Sequence, residues 1–490
     1  MAAIKDLAGQ TVLYGAPTIV GRLLNYLLVP LHTYLFAPEQ YGIVSELYAW
    51  VSLFMVILTY GMETAFFRFS QIEEYKKKCF STVALSLLTS SLIFIVLSTT
   101  FSKQIAVGLD YPNNPEYVTW LSIIIAIDAF TSIFFASLRL QMRPLRFAFV
   151  KIVNILTSII LNLFFLLLCP YLLQENIAPG FVSAIYNPEI GVGYIFVANL
   201  VASIVTLCVL LPELFKVKIS FDKELWKQMM AYGLPLMIFG LAGIVNETMD
   251  RILLRRLSPP EVAQANVGIY SACYKISIMM TLFIQAFKYA AEPYFFNKAK
   301  DADAKQTYSD VMSIFVMVCS LIFLGIMLYM DIVQYFVGES YRVGLHIVPI
   351  LLLANLFLGI FYNLSIWYKL TDRTKAGAYI SIMGAAITLI LNIILIPILG
   401  YTGSAWATFA CYFAMVVVSY LFGQKYYYVD YKVWRIILYI LYAVAIYLFS
   451  TLFHFESLIW KLIFHTVLII FYAITLFLID KKYILTIIKR

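Results

Sequence analysis

The chain alternates between long apolar stretches and short polar connections. About 14 of the stretches are long enough to cross a bilayer, for which a helix needs about 20 apolar residues. We number them as spans 1–14, with approximate limits at 10–35, 41–68, 79–102, 116–139, 146–171, 190–213, 228–254, 266–294, 308–331, 343–369, 376–398, 402–424, 432–453 and 457–479. Open sheets leave backbone groups unsatisfied in lipid, and these stretches are too long for barrel strands. The pattern therefore predicts an all-α polytopic membrane protein.

The composition agrees with this interpretation. Of the 490 residues, 62% are hydrophobic and only 13% are charged, whereas soluble domains carry about 25% charged residues. The longest polar connection, at 172–189, is too short to form a soluble domain. These numbers exclude a soluble enzyme, a nucleic-acid-binding module and a disordered scaffold. The expected surroundings are membrane lipids, and no nucleic-acid partner is expected.

The basic residues divide unequally between the two sets of alternate connections. The set that includes both termini carries 26 Lys and Arg residues, the other set carries 5, and 4 lie inside spans. We call these sets the basic side and the opposite side. Because short cytoplasmic loops are rich in Lys and Arg, we expect a multi-pass protein of the bacterial inner membrane with both termini in the cytoplasm.

Motifs for catalysis, nucleotide binding or metal binding are absent from the sequence. The six cysteines form no CxxC pair and have no His at metal-ligand spacing, and most lie in apolar stretches where they serve as small packing residues. The first ten residues lack a signal-peptide pattern. We therefore expect no enzyme activity, no metal and no cofactor. Any transport would be driven by an ion gradient, with H⁺ or Na⁺ as the possible coupling ion, by the membrane potential or by downstream consumption of the product.

The first half of the chain resembles the second. The matches are 14–17 (YGAP) with 232–235 (YGLP), 42–45 (GIVS) with 268–271 (GIYS), 63–67 (ETAFF) with 292–296 (EPYFF), and Arg143, Ala148 and Asn162 with Arg373, Ala378 and Asn392. The repeat unit contains six spans, an even number, so the halves have the same orientation. We predict two six-helix lobes, 1–220 and 221–427, and two extra helices at 428–490.

Charged residues inside spans are costly unless they are paired or hydrated. Arg22 in span 1, Arg251 in span 7, and Lys275 and Lys288 in span 8 predict a cationic cavity that binds an anion such as pyrophosphate. The alternative is that some of them form ion pairs that fix helix packing. Glu247 with Arg251 and Lys288 with Glu292 have the i,i+4 spacing for this, and Arg22 could pair with Asp128.

Carboxylates and helix breakers complete the candidate site. The candidates for ion coupling are Glu63, Asp128, Glu247, Asp250 and Glu292, with Glu247 ranked first because it lies one turn from Arg251. Gly15 and Pro17 in span 1 and Gly233 and Pro235 in span 7 predict interrupted helices at corresponding positions of the two halves. Such interruptions point to a transport site and its hinges.

Two segments carry a resemblance to a known family. Residues 249–254 (MDRILL) with 267–276 (VGIYSACYKI), and the earlier 38–42 (PEQYG), resemble the Wzx-type flippases of polysaccharide repeat units. That family belongs to the multidrug/oligosaccharidyl-lipid/polysaccharide exporter superfamily. The resemblance implies that the protein moves an undecaprenyl-diphosphate-linked oligosaccharide to the periplasmic leaflet by alternating access, with Arg22, Arg251 and Lys275 near the headgroup. It also implies a role in lipopolysaccharide or another surface polysaccharide.

Two other functions remain open from the sequence. A cation-coupled drug exporter of the same superfamily would have the same span pattern, although such a cavity should carry net negative charge. A membrane polysaccharide polymerase should have a large periplasmic loop, which this chain lacks. The expected partners are the lipid-linked substrate, a polysaccharide polymerase and other assembly proteins, and we expect a monomer.

Overall fold

The computed structural model of the protein describes residues 20–21, 23–215, 220–299 and 301–489. Within these ranges the chain forms helices and turns, with no β-strand. Thirteen segments of the described chain are long and apolar enough to cross a membrane. They are Pro38–Phe69, Lys76–Thr100, Pro115–Leu140, Pro144–Gln174, Pro188–Leu214, Lys223–Leu257, Pro260–Lys298, Ala304–Leu328, Glu339–Leu370, Thr374–Leu399, Tyr401–Tyr426, Val433–Ser450 and Leu458–Leu478.

These segments correspond one to one to the predicted spans 2–14, so the all-α polytopic fold is confirmed. Span 1 lies mostly outside the described residues, and the helix Leu28–Leu35 forms its last part. Shorter helices, Ser102–Gly108 and Pro179–Ile185, lie in the connections after spans 3 and 5. The final helix continues beyond the apolar stretch to Lys489.

The first of two compact units is Met1–Arg255. Span 4 runs through its centre, and 78% of the most apolar part of that helix is buried. Apolar side chains of spans 2, 3, 6 and 7 pack with Phe134 of span 4 around the half of that helix nearest the basic side, among them Met62, Phe66, Phe80, Leu210 and Met229. A second cluster fills the other half and includes Val44, Leu47, Tyr117, Leu121, Val192 and Phe196. Span 7 therefore packs as part of the first unit.

The second unit is Arg256–Arg490. Its fully buried large side chains include Tyr270, Phe315, Leu352 and Tyr412 of spans 8, 9, 10 and 12. Span 13 packs on span 9, and the Tyr472 hydroxyl of span 14 donates to the Tyr439 carbonyl of span 13 at 3.1 Å. Spans 13 and 14 are thus attached to this unit. The predicted lobe boundaries at 220 and 427 stay a prediction.

The predicted repeat is visible in two matching turns and two matching asparagines. The turns after spans 4 and 10 place Met142 and Asp372 at φ 55° and 54°. Asn162 donates to the carbonyl four residues earlier at 2.8 Å, and Asn392 makes the same bond at the same distance. Each side-chain oxygen then accepts a second bond, from His32 Nε2 at 2.9 Å and from the Ser404 hydroxyl at 2.7 Å.

The helix of span 2 is broken where it meets span 7. The helix Pro38–Thr59 ends at Tyr60, the next helix begins at Met62, and both Tyr60 and Gly61 have positive φ. Gly61 presses on span 7 so closely that a Cβ there would lie 2.3 Å from the Gly233 carbonyl oxygen. Span 7 itself is a continuous helix, Lys223–Leu257, with Pro235 inside it. The interruption predicted for span 7 is therefore wrong, and the break lies in span 2, which contacts span 7 at this point.

Candidate functional site

Three of the predicted site residues, Gly15, Pro17 and Arg22, lie outside the described residues. Lys275 is half-buried in span 8, between the buried side chains of Tyr274 and Ile276. The structure describes the remaining candidates in detail and brings them together in three charged clusters. Two of the clusters lie in the first unit and one lies in the second.

The first cluster is the run of charges on span 7. Arg251 Nη1 lies 2.9 Å from Asp250 Oδ1 and donates to the Glu247 backbone carbonyl at 2.6 Å. The Asp250 side chain is 3% exposed and the Arg251 side chain is 12% exposed. The ion-pair partner of Arg251 is thus its sequence neighbour, whereas the i,i+4 spacing predicted the Glu247 carboxylate. Asp250 and the Glu247 carbonyl thus orient the Arg251 guanidinium at low solvent exposure.

The second cluster lies at the end of spans 2, 4 and 5 nearest the basic side. Arg139 Nη2 lies 2.6 Å from Glu63 Oε1, and the Arg139 guanidinium also lies over the Phe67 ring at 5.3 Å. Lys151 Nζ lies over the Phe135 ring at 4.1 Å. Because a cation attracts the electron-rich face of an aromatic ring, the rings help to hold both basic side chains. Glu63 is therefore paired across helices.

Asp128 lies in the same unit, deeper along span 4. Its Oδ1 accepts a hydrogen bond from the Ser203 hydroxyl of span 6 at 2.8 Å, and it interacts electrostatically with Lys151. The sequence raised Arg22 as a partner of Asp128, and that pairing lies outside the described residues. A hydroxyl and a nearby Lys together provide the compensation that a carboxylate inside a span requires.

The third cluster lies on spans 8 and 10 of the second unit. Lys369 Nζ lies 2.6 Å from Glu292 Oε1, so Glu292 pairs across helices, where the i,i+4 spacing had predicted Lys288. Lys288 instead places its ammonium 4.6 Å from the centre of the Tyr362 ring. The two lysines and Glu292 line one small cleft together with Phe287, Tyr362 and Asn363. The side chains that line this cleft therefore include two cations and one carboxylate.

Sequence reasoning missed Arg139 and Lys369 as partners of the candidate carboxylates. The repeat carries the signal that could have found them. Glu63 matches Glu292 in the internal alignment, and Arg139 and Lys369 each lie four residues before the matched Arg143 and Arg373. A pair of opposite charges that recurs at equivalent places in both halves indicates an inherited contact.

A further charged contact holds the start of span 7. Asp222 accepts backbone hydrogen bonds from Glu224 and Leu225 at 3.1 Å each and lies 3.0 Å from Lys78 Nζ. The backbone bond from Leu225 and the ion pair with Lys78 hold the pKa of Asp222 below its usual range. Lys78 belongs to the start of span 3, so this contact ties the connection between spans 6 and 7 to the first unit.

No group of three or more His, Cys, Asp or Glu side chains in the described part of the chain has the geometry to hold a metal ion. The six cysteines are free thiols, and all except Cys208 are buried. The chemistry available in the three clusters is that of charged and aromatic side chains, which can bind an anion and change protonation state.

The fold is similar to solved membrane transporters. A structure titled lipid II flippase MurJ, inward closed conformation, has a TM-score of 0.74 at 15% identity, covering 96% of this chain and 100% of its own. A multidrug resistance MATE family transporter of the MOP superfamily gives 0.65 in its inward-facing conformation, at 16% identity over 85% of this chain and 94% of its own. The outward-facing conformation gives 0.58, at 16% identity over 86% of this chain and 95% of its own. At these identities the likeness shows the fold.

The family follows from the sequence match. No curated protein sequence is significantly similar to the chain. A family model described as polysaccharide biosynthesis protein matches residues 8–299. That range is more than half of the chain and includes the charged cluster of span 7, the paired Glu63, and Lys275 and Lys288 of span 8. This multi-pass membrane protein therefore belongs to the polysaccharide biosynthesis protein family.

Proposed function

We propose that the protein is a flippase that moves an undecaprenyl-diphosphate-linked oligosaccharide from the cytoplasmic to the periplasmic leaflet of the bacterial inner membrane. The family match over residues 8–299 carries this proposal. The basic side faces the cytoplasm, and both termini lie there. The cycle alternates access between the leaflets and uses an H⁺ or Na⁺ gradient, and the protein works as a monomer with a polysaccharide polymerase and other assembly proteins as partners.

The charges support an anionic headgroup as the transported group. Arg251 is oriented by Asp250 inside span 7, and the cleft of the second unit holds Lys288 and Lys369 against the single carboxylate of Glu292. Basic side chains at low exposure bind phosphate oxygens more strongly than those in water, because the local dielectric is lower. The diphosphate is thus the part of the substrate that these residues recognise, together with Arg22 and Lys275.

Cells that lack the gene provide the test. We expect them to lose surface polysaccharide and to accumulate undecaprenyl-diphosphate-linked oligosaccharide, measured by mass spectrometry of the lipid fraction. Arg251→Ala and Lys288→Ala should each reduce export by about 10–100-fold, the equivalent of one charged hydrogen bond. Lys227→Ala is the matched control, because Lys227 is exposed and makes only a 3.8 Å pair with Glu224. Normal polysaccharide in the deletion strain would contradict the proposal.

A cation-coupled drug exporter is the second candidate. The similarity to a multidrug resistance MATE family transporter over 85% of the chain favours it. That function predicts that the deletion strain becomes sensitive to organic cations while its polysaccharide stays normal. The two outcomes are measured in the same strain, so one experiment separates them.

A further inference from the structure

A carboxylate that the candidate site does not use is buried near the opposite side of the first unit. Glu46, on span 2, is 0% exposed. The Tyr111 hydroxyl donates a hydrogen bond to Glu46 Oε2, and Arg255 Nε lies 3.8 Å from the same oxygen. Tyr111 belongs to the connection after span 3, and Arg255 belongs to the last turn of span 7. Three separate elements therefore meet at one buried carboxylate.

Arg255 is held less tightly than two other arginines of the first unit. Its Nη2 lies 3.5 Å from Asp110 Oδ2, so it is shared between two carboxylates at 3.5 and 3.8 Å. The ion pairs of Arg139 and Arg251 measure 2.6 and 2.9 Å. Arg255 Nε is buried and has no hydrogen-bond acceptor. A long and incompletely hydrogen-bonded pair gains little from its geometry, so little is lost when Arg255 leaves a Glu46 side chain that has become neutral by protonation.

The exposed fraction of the three charged side chains decreases stepwise from solvent to the buried carboxylate. Asp110 is 51% exposed, Arg255 is 16% exposed and Glu46 is fully buried. Uptake of one proton by Glu46 replaces a buried charge with a neutral carboxyl group, and burial at low dielectric favours the neutral form.

We propose that Glu46 is a proton-binding site of the transport cycle, loaded from the side on which Asp110 is exposed. In this step a proton from water binds a Glu46 carboxylate oxygen and gives a neutral carboxyl group. Tyr111 keeps its hydrogen bond to that group, and Arg255 shifts its pairing to Asp110. This inference rests on the proposed function for its direction, since the opposite side is then periplasmic, where the proton motive force supplies protons.

The position of Arg255 connects this step to conformational change. Arg255 lies in the last turn of the span 7 helix, which ends at Leu257. A movement of this helix end therefore displaces the Arg255 guanidinium relative to Glu46 and Asp110. A proton on Glu46 removes one of the two charges that hold Arg255, so protonation and movement of the end of span 7 favour each other.

The surroundings favour a proton over a metal cation. A guanidinium at 3.8 Å repels Na⁺, and Tyr111 directs a hydrogen toward the oxygen that would have to act as a ligand. Other titratable and charged groups lie on the elements around this half of span 2. They are Tyr41 and Tyr48 on span 2 itself, His32 of the preceding helix, Glu116 and Tyr117 of span 4, Glu189 and Tyr194 at the start of span 6, and Asp250 and Arg251 of span 7.

A hydrophobic carbodiimide tests the site without any substrate, because it reacts with protonated carboxyl groups. The full-length protein is labelled in detergent between about pH 5 and 8, and peptide mass spectrometry measures the modification of Glu46. We expect labelling to rise as the pH falls. Arg255→Gln should increase it at neutral pH by about tenfold or more, because an opposite charge no longer stabilises the carboxylate. Glu116, which accepts a bond from Asn114, is the internal control. If the extent of Glu46 labelling does not change with pH, or does not change on Arg255→Gln, the proposal is overturned.

Proteoliposomes loaded with lipid-linked oligosaccharide test the role in transport. An acidic exterior on the side of Asp110 should accelerate flipping by the wild type. Glu46→Gln, which resembles the protonated side chain, should flip at a rate that no longer depends on the pH gradient, whereas Glu116→Gln should behave like the wild type. Retained gradient dependence in Glu46→Gln, or acceleration by a Na⁺ gradient alone, overturns the assignment. If the wild type does not flip this lipid at all, the proposed function is wrong. The labelling experiment then still tests whether Glu46 is a proton-binding site.

Discussion

At the scale of single residues, an equivalent ion pair occurs in both units, with Arg as the cation in the first unit and Lys in the second. Glu63 pairs with Arg139 and Glu292 pairs with Lys369, both at 2.6 Å. The cations come from the helix end that precedes the matched turns at Met142 and Asp372. Because both pairs are part-exposed, solvent screening limits their contribution to stability. Their equivalent positions indicate that they fix the packing of spans 2 and 8 on their neighbours.

Reversal of one charge in either pair should lower stability, and reversal of both should restore it. Lys369→Glu places two carboxylates together and should cost about 1 kcal/mol or less, since exposed pairs are worth little. The double variant Glu292→Lys with Lys369→Glu should recover most of the loss. Thermal unfolding in detergent measures both, and Glu63→Arg with Arg139→Glu repeats the cycle in the first unit. Additive effects of the two substitutions would show that the pair has no direct coupling.

The buried asparagines of the repeat contribute more to stability than the ion pairs. Asn162 and Asn392 are 1% and 0% exposed, and each bridges its own helix to a neighbouring side chain. Asn162→Ala and Asn392→Ala should each lower the free energy of unfolding by about 1–3 kcal/mol, since His32 or Ser404 then loses a buried partner. Asn297→Ala, at an exposed position, is the control. Equal melting temperatures for all three variants would argue against these buried networks as stabilising contacts.

At the scale of helices, the contact between spans 2 and 7 depends on glycine. Gly61 has φ +73°, and a Cβ there would meet the Gly233 carbonyl, while a Cβ on Gly233 would lie 2.8 Å from the Tyr60 carbonyl. Both obstacles are backbone atoms, so neither can rotate away. The close approach of two backbones requires small residues, as in other membrane helix pairs. The roles of Gly233 and Pro235 as hinges stay predictions.

Alanine at these positions should separate the two helices. Gly61→Ala and Gly233→Ala should lower the melting temperature and reduce export, with the larger effect at Gly61, where the positive φ adds strain. Gly243→Ala on the same helix is the matched control, because a Cβ there meets nothing within 4 Å. Helix propensity alone should make that variant neutral or more stable by up to about 1 kcal/mol. A tolerated Gly61→Ala would show that the two backbones can move apart.

The start of span 7 should give the protein a pH-dependent contribution to stability. The pKa of Asp222 is lowered in the folded state by the backbone of Leu225 and by Lys78. A lowered folded pKa means that the contribution is present above the unfolded value, at about pH 4, and is lost as the pH falls through the folded value. We expect Asp222→Asn to flatten this part of the stability curve measured by thermal unfolding. Glu224→Gln, at a more exposed carboxylate, should leave the curve unchanged.

At the scale of the whole molecule, the uneven distribution of Lys and Arg predicts the orientation in the membrane. The described spans 2–14 occur in the predicted order. The assignment of 26 Lys and Arg residues to one set of connections and 5 to the other depends on this order. An extra or missing span would have mixed the two sets of connections. The expected arrangement has the basic connections and both termini in the cytoplasm.

Reporter fusions measure this orientation directly. A reporter that is active only in the periplasm should be active when fused in the connection 451–457 and inactive when fused in 427–432 or after Arg490. A reporter that is active only in the cytoplasm should give the reverse pattern. Periplasmic activity after Arg490 would contradict the 14-span arrangement.

The sequence by itself determined the fold class, the order of the spans and the repeat. Lipid forces every backbone polar group to be satisfied within its own helix, so each apolar stretch of sufficient length becomes a span regardless of its neighbours. The matched turns at Arg143 and Arg373 and the matched asparagines were also readable, because they depend on contacts only a few residues apart.

The tertiary structure decided which charges meet. Helical spacing predicted Glu292 with Lys288 and Glu247 with Arg251, yet Glu292 binds Lys369 on another span, 77 residues away, and Arg251 binds Asp250. The helix break predicted at Gly233 lies instead at Tyr60 and Gly61. Glu46, Tyr111 and Arg255 come from three distant segments and contact one another only in the folded protein. Pairs on one helix follow from periodicity, whereas contacts between helices depend on the rotation and depth of each helix, which side-chain packing sets.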